Sequence, residues 1–335
     1  MFKIRLETEL VLLAILFLLI GVIIGTIIAG PLLYYKRPQL ISPDEIAESL
    51  RLASNYLLRA QKPGGDFNYE YKPRRASYSN ENFIVRQIGT AYVLANYYRE
   101  TGDSRAQKAV EKFFDYYLPL SKTYDSPFGK ARYITDGPQN FTNSTALFLL
   151  AVGELMETNS ELFQKYESLA QELANHLLSM QKPTGAFRYY FLEDGTYSDK
   201  EDHFTNGEAF FALAKLSRLT NEKRLRDAAE KSAALYQFTY ENFNNSFYAW
   251  GMGGYYELYL ADPKEKYAQF MFAQTDELLA GNYFRQIENY AKGIPLLPGG
   301  NPSVYIEGVG RAYQVAKLTA DIQRQEIYRD AMLKA

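Results

Sequence analysis

Apolar positions recur at helical spacing along most of this chain, and their density alternates from one stretch to the next. Some stretches carry one apolar stripe, as where Ala109, Phe113, Phe114 and Tyr117 fall on a single face. Others are apolar on most sides and rich in small residues: Phe83 to Tyr98, Asn143 to Met156, Asn206 to Leu219, Gly251 to Leu260 and Val304 to Leu318. A helix without a polar face has to be buried, so the pattern predicts half-exposed outer helices alternating with buried inner ones. About eleven helices are expected: five pairs and a last one from about Asp321.

Start signals support this division. Ser42-Pro43-Asp44-Glu45 has the form of a capping box with proline at the first helical position. Further starts are expected at Asp103, at Ser160 after Asn159, at Asn221, and at Asp262-Pro263, which repeats the cap-then-proline arrangement. Connections from inner to outer helices are tight, as at Thr101-Gly102-Asp103. Those from outer to inner helices are long: residues 61–82, 120–141, 181–204 and 280–303. Two of them open on related peptides. Gln61-Lys62-Pro63-Gly64-Gly65-Asp66-Phe67 returns as Gln181-Lys182-Pro183-Thr184-Gly185-Ala186-Phe187. Alternation over Asp66 to Lys72 and Phe187 to Phe191 predicts short strands there. Antiparallel pairs of this kind bring all the long loops to one rim, where the inner helices begin and where function is expected.

Residues 10–35 carry no charge and exceed the ~20 apolar residues that cross a bilayer. The expected organisation is a tail (1–9), a membrane anchor (10–35), a linker (36–41) and a helical domain (42–335). Lys3 and Arg5 precede the span while Lys36 and Arg37 follow it, so charge barely orients it. Asn-x-Ser/Thr triplets at Asn140, Asn143 and Asn244 lean toward an extracytoplasmic domain.

The paired pattern, the echoed loop peptides and the inner-helix matches resemble the α/α toroid of six-hairpin glycosidases and related uronate lyases and epimerases. Gly89-Thr90-Ala91-Tyr92, Gly310-Arg311-Ala312-Tyr313 and Glu208-Ala209-Phe210-Phe211 occupy the same place in three inner helices. The resemblance covers about residues 42–335. It implies an all-α toroid of five to six hairpins with short rim strands, and a carbohydrate as ligand. A closed ring of six pairs needs one helix more than the pattern supplies.

Composition narrows the chemistry. A net charge of -2 gives no basic footprint for nucleic acid. The absence of cysteine removes thiol nucleophiles and the cysteine-ligated zinc of other toroids. No P-loop, Gly-x-Ser-x-Gly or His-Glu-x-x-His occurs, and no cofactor or metal is expected. Asp194, Asp199, Glu201 and Asp202 lack EF-hand spacing and read as a solvated acidic loop rather than a calcium site. The 29 tyrosines and 21 phenylalanines either pack the core or line sugar subsites.

Glu208 and Glu307 lie near the starts of two inner helices, where a carboxylate either complements the helix dipole or works as acid or base in a cleft. Two such groups are what glycoside hydrolysis requires. Asp66 is replaced by Ala186 in the second loop copy, which marks it as a candidate beside its reading as a turn residue. His203 is a candidate base. His176, on an outer helix, is expected to pack or face solvent, so a mechanism with two cleft histidines, as in some epimerases of this architecture, is disfavoured. Arg86, on a buried helix, calls for an ion-pair partner or a substrate carboxylate. Tyr69, Tyr71, Tyr189 and Tyr290 would line subsites. The expectation is a membrane-anchored hydrolase, lyase or epimerase acting on an extracytoplasmic glycan, either neutral or anionic. The alternative is a non-catalytic glycan-binding or scaffold subunit of a membrane-bound export or assembly complex.

Overall fold

The inner helices follow one another side by side, as the alternation requires. The structure, a computed structural model, describes residues 42–135, 137, 139–192, 196–281 and 302–334. Eleven helices lie among the described residues. The outer ones are α1 (Pro43–Ala60), α3 (Ser104–Tyr117), α5 (Ser160–Met180), α7 (Lys223–Thr239), α9 (Glu265–Ala280) and α11 (Ile322–Lys334). The inner ones are α2 (Ile84–Thr101), α4 (Thr142–Thr158), α6 (His203–Thr220), α8 (Asn245–Ala261) and α10 (Pro302–Leu318). α2 packs on α4, α4 on α6, α6 on α8 and α8 on α10. One compact unit runs from Ala47 to Ala335. The predicted span, residues 10–35, lies outside the described residues, as do most of the 280–303 loop and Tyr290. Among the described residues no helix is long and apolar enough to cross a membrane.

Boundaries follow local chemistry. The box at α1 forms as expected: Glu45 N–H donates to Ser42 Oγ at 3.2 Å, and Ser42 N–H to Glu45 Oε2 at 2.8 Å. Asp103 and Asn159 cap α3 and α5. Two expected starts are corrected. Asn221 adopts φ 56° as the end of α6, and α7 begins at Lys223. Asp262 does not cap α9. Its carbonyl accepts from Lys264 N–H at 2.7 Å, and α9 begins at Glu265. α8 starts well before the predicted Gly251, because Asn244 caps it through Phe247 N–H at 2.9 Å.

Among the described residues six short strands sit in the long loops: β1 (Tyr71–Lys72) with β2 (Ser77–Tyr78), β3 (Lys122–Ser126) with β4 (Gly129–Tyr133), and β5 (Gln139–Phe141) with β6 (Tyr190–Leu192), all antiparallel. The strands predicted over 66–72 and 187–191 are thus shorter and displaced, because the first residues of each segment bond back to the loop instead. Lys62 N–H donates to the Asp66 carbonyl at 2.7 Å, and Lys182 N–H to that of Ala186 at 2.7 Å.

The echoed peptide proves to be a clasp. Gln61 Nε2 reaches the Ala109 carbonyl of α3 at 2.8 Å, and Gln181 Nε2 the Ala228 carbonyl of α7 at 2.9 Å. Phe67 and Phe187 are buried, and their N–H groups donate to Gln87 Oε1 and Asn206 Oδ1 of the following inner helices, each at 2.8 Å. Each clasp therefore ties one outer and one inner helix to the preceding pair. Tilted and edge-on rings such as Phe113, Phe114 and Phe148 fill the space between layers, each worth about 1.5–3 kcal/mol on burial.

Candidate functional site

The last turns of the inner helices α2, α4, α6 and α8 meet in a belt of charge. Arg99 of α2 pairs with Glu154 of α4 at 2.6 Å and with Glu157 at 3.6 Å. Lys215 of α6 lies 3.1 Å from Glu154, 2.5 Å from Glu157 and 3.6 Å from Glu257 of α8. Arg218 of α6 binds both Glu157 and Glu257. The sign therefore alternates from α2 to α8, so each helix finds its complement on its neighbours. On α10, Arg311 binds Glu307, and Tyr92 of α2 donates to Glu307 at 3.4 Å, which links the last inner helix to the first. These residues line a cavity of about 500 Å³ along the axis. Burial works against the charge of Lys215, but Glu154, Glu257 and Glu157 hold its pKa above the ordinary value. With the C-termini of the inner helices gathered here, their N-termini and the long loops lie at the opposite, rim end.

At the rim, Glu208 sits in the second turn of α6. It is 3% exposed, and its Oε2 has no hydrogen-bond partner. Burial pushes its pKa well above the usual carboxylate range, and the Asp202 charge adds to this, while the Asn143 amide opposes it. Tyr189 is beside it: burial raises the phenol's pKa, with Asp202 and Glu208 contributing. Asp202 caps α6 through Thr205 N–H at 2.8 Å. His203 is exposed, with Nδ1 2.8 Å from Tyr240 Oη.

The other sequence candidates fall in separate places. Asp66 lies in the first clasp, 2.6 Å from Lys62 Nζ. Arg86 is exposed rather than buried. It donates to Tyr69 Oη at 2.7 Å and lies over that ring at 5.5 Å. Tyr71 packs edge-on against Tyr78 at 5.2 Å. Glu307 lines the axial cavity, and among the described residues no contact joins it to Glu208. His176 is fully buried among Tyr124, Tyr133 and Phe191, so it packs and does not face a cleft. Asn140 is 1% exposed, which removes the first glycosylation triplet as an accessible acceptor. Sequence reasoning missed the belt. Glu154 with Glu157, and Lys215 with Arg218, are like-charged pairs at i,i+3 on helices otherwise apolar, a signal of the same kind as Arg86.

This architecture is the α/α toroid of the six-hairpin glycosidase-like fold, shared with several solved structures. Cellobiose 2-epimerase from Spirochaeta thermophila is 14% identical, with a TM-score of 0.63 over 90% of this chain and 85% of that one. D-mannose isomerase is also 14% identical, with a TM-score of 0.62 over 90% and 87%. A family 76 α-mannanase from Bacteroides thetaiotaomicron is 15% identical, with a TM-score of 0.58 over 86% and 81%. The chain spans only 48% of a family 76 glycoside hydrolase from a bovine strain of that species and 62% of a family 76 mannosidase. No family model matches the sequence, and no curated protein matches it.

Proposed function

We propose that this chain is a carbohydrate-active enzyme working at the long-loop rim of the toroid, with Glu208 as its proton donor. The observation that carries this reading is the Glu208 carboxyl, buried, with its pKa raised well above the usual carboxylate range and with one oxygen unpartnered at the rim end of an inner helix. A carboxylic acid kept neutral near pH 7 can protonate a departing glycosidic oxygen or a ring oxygen. Tyr189 beside it supplies a ring face for a sugar and a hydroxyl at its edge. The fold neighbours include sugar hydrolases, an isomerase and an epimerase, which supports a sugar as substrate without choosing the bond. With His176 enclosed in the aromatic nest, carboxylate chemistry is favoured over a histidine pair. Glu307, held by Arg311 and Tyr92 in the cavity of the belt, takes no step in this reading. The uncharged run 10–35 supports attachment to a membrane, and the triplets at Asn143 and Asn244 lean toward a toroid outside the cytoplasm.

The test is turnover of α-1,6-mannan, cellobiose, mannose and a polyuronate by the parent chain and by Glu208→Gln. Loss of turnover by two or more orders of magnitude, with thermal unfolding intact, is the expected result. Unchanged turnover in the variant removes Glu208 from the chemistry. The separation of Glu307 from Glu208 favours a second reading, a non-catalytic glycan-binding subunit; binding with no turnover in the parent would select it.

A further inference from the structure

The first rim loop carries a cationic aromatic hairpin that the chemistry above does not use. β1 and β2 pair Tyr71 with Tyr78 and Lys72 with Ser77, and a single 3-10 turn, Pro73–Arg75, joins them. Ala76 closes the turn at φ 45°, with its N–H donating to the Pro73 carbonyl at 3.2 Å. Residues 70–75 line a concavity of about 520 Å³. Tyr71 and Tyr78 form the edge-on pair, and each is 40% exposed.

Charge distinguishes this hairpin from the corresponding second loop. Residues 69–86 hold Lys72, Arg74, Arg75 and Arg86 against Glu70 and Glu81, in a protein of net charge -2. Lys72 is taken by Glu70 at 3.7 Å. Arg74 and Arg75 have no acidic partner among the described residues, and Arg86 spends one nitrogen on the Tyr69 hydroxyl. The corresponding second loop is built differently. There Lys182 is paired with Glu201 at 2.9 Å, and Arg188 and Lys200 lie over Tyr197 and Tyr189. Among the described residues of these two loops, Arg74 and Arg75 are the cations with neither an acidic partner nor a ring beneath them, and they stand beside exposed rings.

We infer that this hairpin is a subsite for an acidic polysaccharide, with Arg74 and Arg75 binding successive sugar carboxylates while the Tyr71–Tyr78 pair receives a ring. Consecutive residues of a 3-10 turn project about 120° apart, so the two guanidiniums reach different groups, as a repeating polyanion offers. Each presents paired N–H donors to a carboxylate. Sugar rings stack on tyrosine faces through their C–H surfaces. This inference rests on the rim being the carbohydrate face.

The experiment uses the full chain in detergent and measures binding of polygalacturonate and of its neutral methyl ester by calorimetry at two salt concentrations. The expected result is salt-sensitive binding of the acid form alone, weakened tenfold or more in Arg74→Gln/Arg75→Gln and in Tyr71→Ala. Equal binding of the ester, or wild-type binding by the double variant, overturns the inference. Tighter arginine-dependent binding of phosphatidylserine vesicles or of single-stranded RNA also overturns it. Glu208→Gln separates the two claims: it should abolish turnover and leave polygalacturonate binding unchanged. A parent chain that binds through the arginines but turns over nothing defeats the enzyme reading and leaves the subsite standing.

Discussion

Lys215 Nζ lies 3.1 Å from Glu154 Oε1, and both side chains are almost wholly withdrawn from water. A buried cation is tolerated only where acids surround it, and Lys215 has three, from α4 and α8. Removing the ammonium leaves three carboxylates, Glu154, Glu157 and Glu257, to share Arg99 and Arg218, one cation short in a buried belt. Lys215→Met should therefore destabilise the toroid by about 3 kcal/mol. Lys215→Met combined with Glu154→Leu should recover part of that loss, because the orphaned charge goes with its partner. Urea unfolding of the two variants checks this. A double variant weaker than the single by a further full increment would show that the two residues act independently.

Two glutamates make opposite contributions to the pH dependence of stability. Salt bridges to Lys215 and Arg218 overcome burial and draw Glu157 down to about 2 from its ordinary 4.5. A lowered acid stabilises the fold above its unfolded pKa and loses that contribution as pH falls from about 4.5 toward 2, here roughly 2 kcal/mol after allowance for solvent screening. Glu208 is raised instead, so its folded form keeps a proton that the unfolded chain releases, and stability falls as pH rises above about 4.5. Glu208→Gln should then leave the melting temperature unchanged at pH 4 and raise it at pH 8. A variant less stable than its parent at pH 8 would mean that the Glu208 carboxyl is ionised and partnered in the fold.

The helical alternation was legible because burial imposes it on the sequence. A helix enclosed on all sides, such as α4, cannot carry a polar face, and α3, half in water, must. The loop strands were less legible. The run Asp66–Lys72 alternates as a strand does, but its first residues close the clasp on Lys62 and only Tyr71 and Lys72 pair. β3 and β4 were missed although Ser126-Pro127-Phe128-Gly129 between them has the composition of a tight turn. For the site, position along a helix gave Glu208 its place at the rim, since Asp202 and Thr205 fix where α6 begins. It could not place Glu307. That side chain is drawn toward the axis by Arg311 one turn on and by Tyr92 from a helix more than 200 residues earlier, a contact that no local pattern encodes.

The two clasps make the same demand on a glycine. Gly65 has φ 117° and Gly185 φ 106°, a region that penalises any side chain, and an added Cβ would stand 2.4 Å from the Lys112 carbonyl oxygen or 2.8 Å from that of Lys231. Both contacts are with backbone of the next outer helix, which cannot rotate away. Gly65→Ala and Gly185→Ala should each cost about 2–4 kcal/mol through strain and a displaced helix. Gly89, inside α2, is the control, because an added Cβ there meets nothing within 4 Å. Gly89→Ala should be neutral or stabilise by up to about 1 kcal/mol. Thermal melts of the three variants should rank in that order. A Gly65→Ala protein as stable as Gly89→Ala would show that the clasp does not hold α3.

His176 provides the sharpest acid response. It has no exposed surface; its Nδ1 lies 3.1 Å from Tyr124 Oη, and Nε2 has no hydrogen-bond partner. Burial pulls its pKa down to about 3 from the ordinary 6.5, so the folded protein holds the imidazole neutral. The unfolded chain takes up a proton below about pH 6.5 that the folded chain refuses until pH 3, and stability is lost progressively across that interval. His176→Phe keeps a ring in the nest and removes the titration. At pH 7 the variant should be weaker than its parent by about 1 kcal/mol, because the Tyr124 hydroxyl loses its partner. At pH 4.5 the order should reverse, since only the parent then has to exclude a proton. Urea midpoints of both proteins at the two pH values measure this crossing, and curves that stay parallel between pH 7 and 4.5 would mean that His176 titrates normally in the folded state.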